Sequence, residues 1–149
     1  PRLEYCIQAW SPNLVKDVEL FGKVQRRATK MIMGYSKLNY ARRLKLTGLT
    51  TLIKRRERGD LIQTYRILHG FDKVDHNIFF DLDNNSKVRG HPYKLKKKFC
   101  RTNLRSTFFT QRVANKWNEL PERVVQAETI NTFKNRYDRF IKIGANDQL

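Results

Sequence analysis

Cysteine is scarce in this chain: 149 residues hold only Cys6 and Cys100, far apart and without metal-ligand spacing. Neither a disulfide framework nor a zinc module is therefore indicated, and a reducing compartment fits best; an intracellular place, in nucleus and cytoplasm, is expected. No apolar run is long enough to span a bilayer, and the N-terminal string PRLEYC lacks the charged and apolar regions of a signal peptide. With Pro1 in place of an initiator Met, the chain is expected to begin inside a longer one. Phosphate-cradling glycine-rich loops are missing too. Carboxylates able to converge on two metal ions reduce to Asp75, Asp81 and Asp83, in a segment whose composition reads as turns and solvated loop. The adjacent pair Asp75 and His76 offers no acid-base couple, because neighbouring residues seldom face each other and no third group orients the imidazole. No catalytic residue, metal or cofactor is expected.

What the chain has in excess is positive charge. Thirty-one Lys and Arg against 14 Asp and Glu give a net charge of +17, a quantity that speaks about partners rather than fold. The charge is clustered. Lys23, Arg26, Arg27 and Lys30 form one group, and Lys54, Arg55, Arg56 and Arg58 a second. A third runs from 87 to 105, with Lys87, Arg89, Lys94, Lys96, Lys97, Lys98, Arg101 and Arg105 and no acid among them. Such clusters neutralise phosphates and release counterions, so a nucleic-acid partner with steep salt dependence is expected. Polybasic segments are also drawn to anionic membranes, but no lipidation motif or amphipathic anchor accompanies the charge, and no membrane partner is expected.

An apolar content of 40%, with nine Phe, six Tyr and two Trp, is too high for a disordered basic tail. The chain should fold as mainly α. Leu14, Val18, Phe21, Val24, Ala28 and Met31 recur at helical steps and predict a helix over 13 to 33, with the basic residues on another face, Gly22 as a weak point and Gly34 as a stop. A short helix is expected from Tyr40 to Leu46, capped by Asn39 and stopped at Gly48, then a longer one from Thr50 or Thr51 to His69, closed by Gly70. Residues 71 to 86 read as a loop or linker between a helical bundle at 1 to 70 and a second part at 87 to 149. There the period becomes alternating. Tyr93, Leu95 and Phe99 are expected on one strand face and Lys94, Lys96 and Lys98 on the other, with Val88 to His91 as the hairpin partner and His91 in a turn or on a phosphate. Two helices should complete this part. One, capped by Ser106, carries Phe109, Val113, Trp117 and Leu120; the other, capped by Thr129, carries Ile130, Phe133, Tyr137 and Ile141. These aromatics lie opposite the charges and read as core rather than as stacking platforms for bases.

Several strings carry more than periodicity: PRLEYCIQAWSP at 1 to 12, KVQRRATKMI at 23 to 32, RLKLTGLTTLIKRRERGDLIQTYRILHG at 43 to 70, GHPYKL at 90 to 95 and FFTQRVANKWNELPERVVQAETINTFKNRYD at 108 to 138. Together, and in this order, they resemble the C-terminal part of the reverse transcriptase of non-LTR (LINE) retrotransposons, in the jockey and chicken-repeat group. The resemblance implies that the first helices are thumb-like, that the remainder is a C-terminal extension, and that the parent polyprotein is an RNA-directed DNA polymerase. It also places the thumb's backbone-gripping cations at Lys23, Arg26, Arg27 and Lys30. The Tyr-Ala-Asp-Asp type motif and the other palm aspartates of that family do not occur here, so this chain alone should not polymerise.

The expected function is therefore non-catalytic binding of RNA, an RNA-DNA duplex or DNA through backbone phosphates, beside the rest of the polyprotein. The expected contact residues are Lys23, Arg26, Arg27, Lys30, Lys54, Arg55, Arg58, Arg89, Lys94, Lys96, Lys98 and Arg101. A protein-interaction or scaffold module derived from such an element is the alternative.

Overall fold

The computed structural model describes residues 2–12, 14–83 and 90–146. Helix accounts for 59% of them and no strand is formed among them, so the mainly α class holds. After a short 3-10 turn at Arg2–Glu4 come α1 (Val15–Lys30), α2 (Tyr40–Thr47), α3 (Leu52–Leu68), α4 (His76–Phe79), α5 (Asn103–Ser106), α6 (Phe109–Asn118), α7 (Glu122–Val125) and α8 (Ile130–Asn146). The chain divides into two compact units, Pro1–Gly59 and Asp60–Leu149. This division falls inside α3, whereas the sequence placed its boundary in 71 to 86.

In the first unit, local chemistry sets the helix ends. The Asn39 side chain accepts from the Arg42 amide at 2.8 Å and starts α2, and Gly48 ends it with φ at 65°, a conformation a Cβ would oppose. Helix α1 runs unbroken through Gly22. Its buried positions are Gln25 and Thr29, not the apolar stripe expected. Gln25 acts as a polar hub: its amide donates to the Thr50 carbonyl at 2.9 Å, while its Oε1 accepts from the Tyr40 hydroxyl at 2.9 Å and the Leu52 amide at 3.1 Å. One side chain thus ties α1 to the starts of α2 and α3. Buried Arg43 adds a second tie, donating to Thr29 Oγ1 at 3.2 Å and to the Leu38 carbonyl. A guanidinium also holds the N-terminal segment. Arg56, 8% exposed, donates to the carbonyls of Leu3 at 2.7 Å and Trp10 at 2.8 Å and lies over the Trp10 ring at 4.4 Å. Nearby, Gly59 admits Ile7, whose Cδ1 would lie 2.4 Å from a Cβ at that position.

The second unit holds a large apolar core. Leu61, Tyr65, Leu68, Phe80, Leu95, Val113, Trp117, Leu120, Val124 and Phe133 are buried together. Tyr65 stacks on Phe133 with ring centroids 4.4 Å apart and donates its hydroxyl to the Ala127 carbonyl at 2.5 Å. Phe80 lies in the core, so the segment expected to be linker supplies packing; Asp75 caps its single turn, α4.

The expected hairpin is not formed among the described residues. Leu95 makes an isolated antiparallel bridge with Leu82, flanked by Asp83 N to Lys94 O and Lys96 N to Asp81 O, both 2.8 Å. The partner of the lysine segment is thus 81 to 83. Of the expected partner, Val88 and Arg89 lie outside the described residues, and His91 is buried, 2% exposed, with Nε2 3.1 Å from the Trp117 carbonyl. His91 is therefore core and not a turn or phosphate contact. Leu95 is instead held by Asn118, whose side-chain amide pairs with both its N–H and its C=O at 2.8 and 2.9 Å. The alternation also ends early, because Phe99 is 91% exposed rather than sharing the face of Leu95. Thr102, not Ser106, supplies a cap, starting α5, and α6 begins after Phe108 without a side-chain cap.

Candidate nucleic-acid interface

Helical geometry brings Lys23, Arg26, Arg27 and Lys30 together. At 3.6 residues per turn the four fall within about 100° of the circumference of α1, and all four are exposed. Arg26 is partly ordered, with its guanidinium 5.2 Å from the Tyr40 ring centroid, a cation–π contact that leaves its charge available. From Lys23 to Lys30 no carboxylate shares that side; Glu19, one turn earlier, is its one acid. The ridge beside this face is apolar: Leu20, Val24 and Met31 are 59, 49 and 79% exposed.

The second cluster divides between exposed and partnered residues. Arg55 is half-buried in an ion pair with Glu4, and Arg56 is committed to the buried carbonyl pair described above. Arg58 is half-buried and partnered. Lys54 alone of the four is exposed.

The third cluster divides as well. Lys87 and Arg89 lie outside the described residues. Lys94 is half-buried with Nζ donating to the Asn118 carbonyl at 2.8 Å, and Lys98 pairs with Asp81 at 2.9 Å. Lys96, Lys97 and Arg101 are exposed, as is Arg105, which lies over the Phe108 ring at 5.0 Å. The residues that charge counting missed are the structural arginines: Arg43, Arg56 and Arg112. Arg112 is bidentate to Asp60, at 2.8 and 3.0 Å, and donates to the Thr107 carbonyl at 2.9 Å. Nothing in local sequence separates Arg56 and Arg112 from surface cations, since the Leu3, Trp10 and Asp60 groups they bond lie 46 to 53 residues away.

Among the described residues no group of His, Cys, Asp and Glu is placed to hold a metal ion, and no helix is long and apolar enough to cross a membrane. The arrangement can attract and position a polyanion; fixed cations on a helix face contact phosphates without reading bases. No family model, curated protein or solved structure matches the chain.

Proposed function

We propose that this chain is a nucleic-acid-binding fragment of a non-LTR retrotransposon reverse transcriptase, without catalytic groups of its own, that grips template RNA or an RNA-DNA duplex by its phosphates. The supporting observation is the α1 face on which Lys23, Arg26, Arg27 and Lys30 are exposed together. The motif order described above gives the thumb assignment, and the remainder of the polyprotein is the natural partner. The contact set is narrower than charge alone implies: Lys23, Arg26, Arg27, Lys30 and Lys54 in the first unit, and Lys96, Lys97 and Arg101 in the second. Arg55, Lys94 and Lys98 act in the fold through their partners.

The test is the combined variant Arg26→Glu, Arg27→Glu, Lys30→Glu. All three side chains are exposed, so the circular dichroism spectrum should be unchanged while affinity for an RNA-DNA hybrid falls by roughly 100-fold or more on reversing three phosphate contacts. Unchanged affinity in the folded variant refutes the assignment.

A second reading, an interaction or scaffold module derived from the same element, draws on the exposed ridge of Leu20, Val24 and Met31. Apolar side chains aligned on a helix and left in water are a feature of protein-binding surfaces. Loss of a captured acidic protein on Val24→Glu, with hybrid binding intact, would favour it.

A further inference from the structure

We propose that Phe99 and the cleft beside it form a subsite for an unpaired base of single-stranded RNA or DNA. This rests on the nucleic-acid reading above and extends it from phosphate contact to base stacking. Phe99 is 91% exposed, against 43, 39 and 47% for Phe71, Phe79 and Phe108, while Tyr65, Phe80, Trp117 and Phe133 of the same unit are buried. An aromatic ring kept in water contributes nothing to the core, so its place is better explained by a ligand with a flat apolar face. Its surroundings fit such a ligand. Lys96, Lys97 and Lys98 precede it and Arg101 follows, and no Asp or Glu occurs between Asp83 and Glu119.

Asp81 and Asp60 of this unit are already paired. Asp81 pairs with Lys98 at 2.9 Å, and Asp60 is held by Arg112. Lys97 and Arg101, two residues before and after Phe99 in sequence, are exposed. A cleft of about 580 Å3 is lined by Phe99 together with Lys97, Lys98 and, from α6, Gln111, Arg112 and Asn115. That volume is within the range of small-ligand sites. Amides bring both donors and acceptors to a base edge. An aromatic platform bordered by cations is the arrangement by which single strands are held with little sequence preference, the ring taking the base and the cations the phosphates.

A duplex would leave this ring idle, because its bases are already stacked. The site thus predicts a distinction that phosphate contact on α1 does not.

The experiment compares wild type, Phe99→Leu and Phe99→Trp by fluorescence anisotropy on three labelled strands of about ten nucleotides: oligouridylate, oligothymidylate and an abasic deoxyribose-phosphate strand. Leu keeps apolar area but removes the ring, and at a position 91% exposed it should leave the thermal melt unchanged. Wild type should bind both base-bearing strands more tightly than the abasic one. Phe99→Leu should lose about 5- to 150-fold on the base-bearing strands, one stacked base's worth, and nothing on the abasic strand; Phe99→Trp should retain binding. Equal affinity of wild type for all three strands, or an unaffected Phe99→Leu, overturns the stacking site while leaving phosphate binding standing. Absence of binding to any strand or duplex removes both.

Discussion

Trp117 is the residue on which the second unit depends most. It is fully buried, donates its indole N–H to the Tyr93 carbonyl at 2.7 Å, stands edge-on to His91 with centroids 5.9 Å apart and stacks on Phe133 at 6.1 Å. Trp117→Ala removes the ring and leaves a cavity, a change that costs about 3 to 5 kcal/mol in fully buried sites. The Tyr93 carbonyl loses its donor as well, worth about 1 kcal/mol net. Against a total domain stability of roughly 5 to 15 kcal/mol, the variant should sit near the edge of folding. Trp117→Phe separates the two contributions, since most of the apolar contact persists while the carbonyl is orphaned; its expected cost is about 1 to 3 kcal/mol. Urea unfolding followed by far-ultraviolet circular dichroism is the assay. With a slope of about 2 kcal/mol per molar, the midpoint should fall by roughly 2 M for Ala and by less for Phe. A loss under about 1 kcal/mol for Trp117→Ala would refute the assignment of this ring to the core.

Two other perturbations follow from buried polar groups. Asp60→Ala strands the Arg112 guanidinium, whose side chain is 20% exposed, and should cost about 3 to 5 kcal/mol, whereas Asp60→Leu with Arg112→Met should recover most of that stability in the same urea assay. A double variant as unstable as the single one would contradict the ion-pair account. His69 and His91 are both held below the usual histidine range, first because burial removes their charged forms from water. Near pH 6 the folded chain then binds fewer protons than the unfolded one, so this contribution is fully present above the unfolded pKa of about 6.5 and is lost as pH falls below it. Each histidine can contribute at most about 1.4 kcal/mol per pH unit. Unfolding at pH 7.5 and 5.5 should show a smaller acid loss when both are replaced by Gln; an identical loss would place the sensitivity elsewhere.

What could be read from sequence was what local chemistry decides. Asn39, Gly48, Gly70 and Thr129 end or start helices through their own side chains or their own φ, and all four do so in the structure. The apolar periodicity of α6 and α8 likewise placed Val113, Trp117, Phe133 and Tyr137 in the core. Non-local pairing was not legible. Gln25 and Thr29 outrank Val24 and Met31 for burial because Thr50, Tyr40, Leu52 and Arg43 converge on them, and no periodicity encodes such a meeting. The pairing of the lysine segment with 81 to 83 was hidden for the same reason: Asn118 and the Leu82 bridge fix Leu95 from a distance.

The candidate site follows the same rule. The α1 cations were legible because one helix suffices to align them. Arg55, Lys94 and Lys98 were indistinguishable from them in sequence, and the structure pairs them with Glu4, the Asn118 carbonyl and Asp81. Alternation placed Phe99 on the strand face of Leu95, and its exposure beside buried Leu95 marks where the extended pattern stops.

The most direct test of phosphate binding by the α1 face is the salt dependence of affinity for an RNA-DNA hybrid, measured between about 50 and 200 mM monovalent salt. Four phosphates neutralised by Lys23, Arg26, Arg27 and Lys30 predict a slope of log K on log salt of about −3.6, or steeper if the exposed cations of the second unit also engage. A slope near zero, or weak binding indifferent to salt, would contradict the account and leave the α1 face to a protein partner.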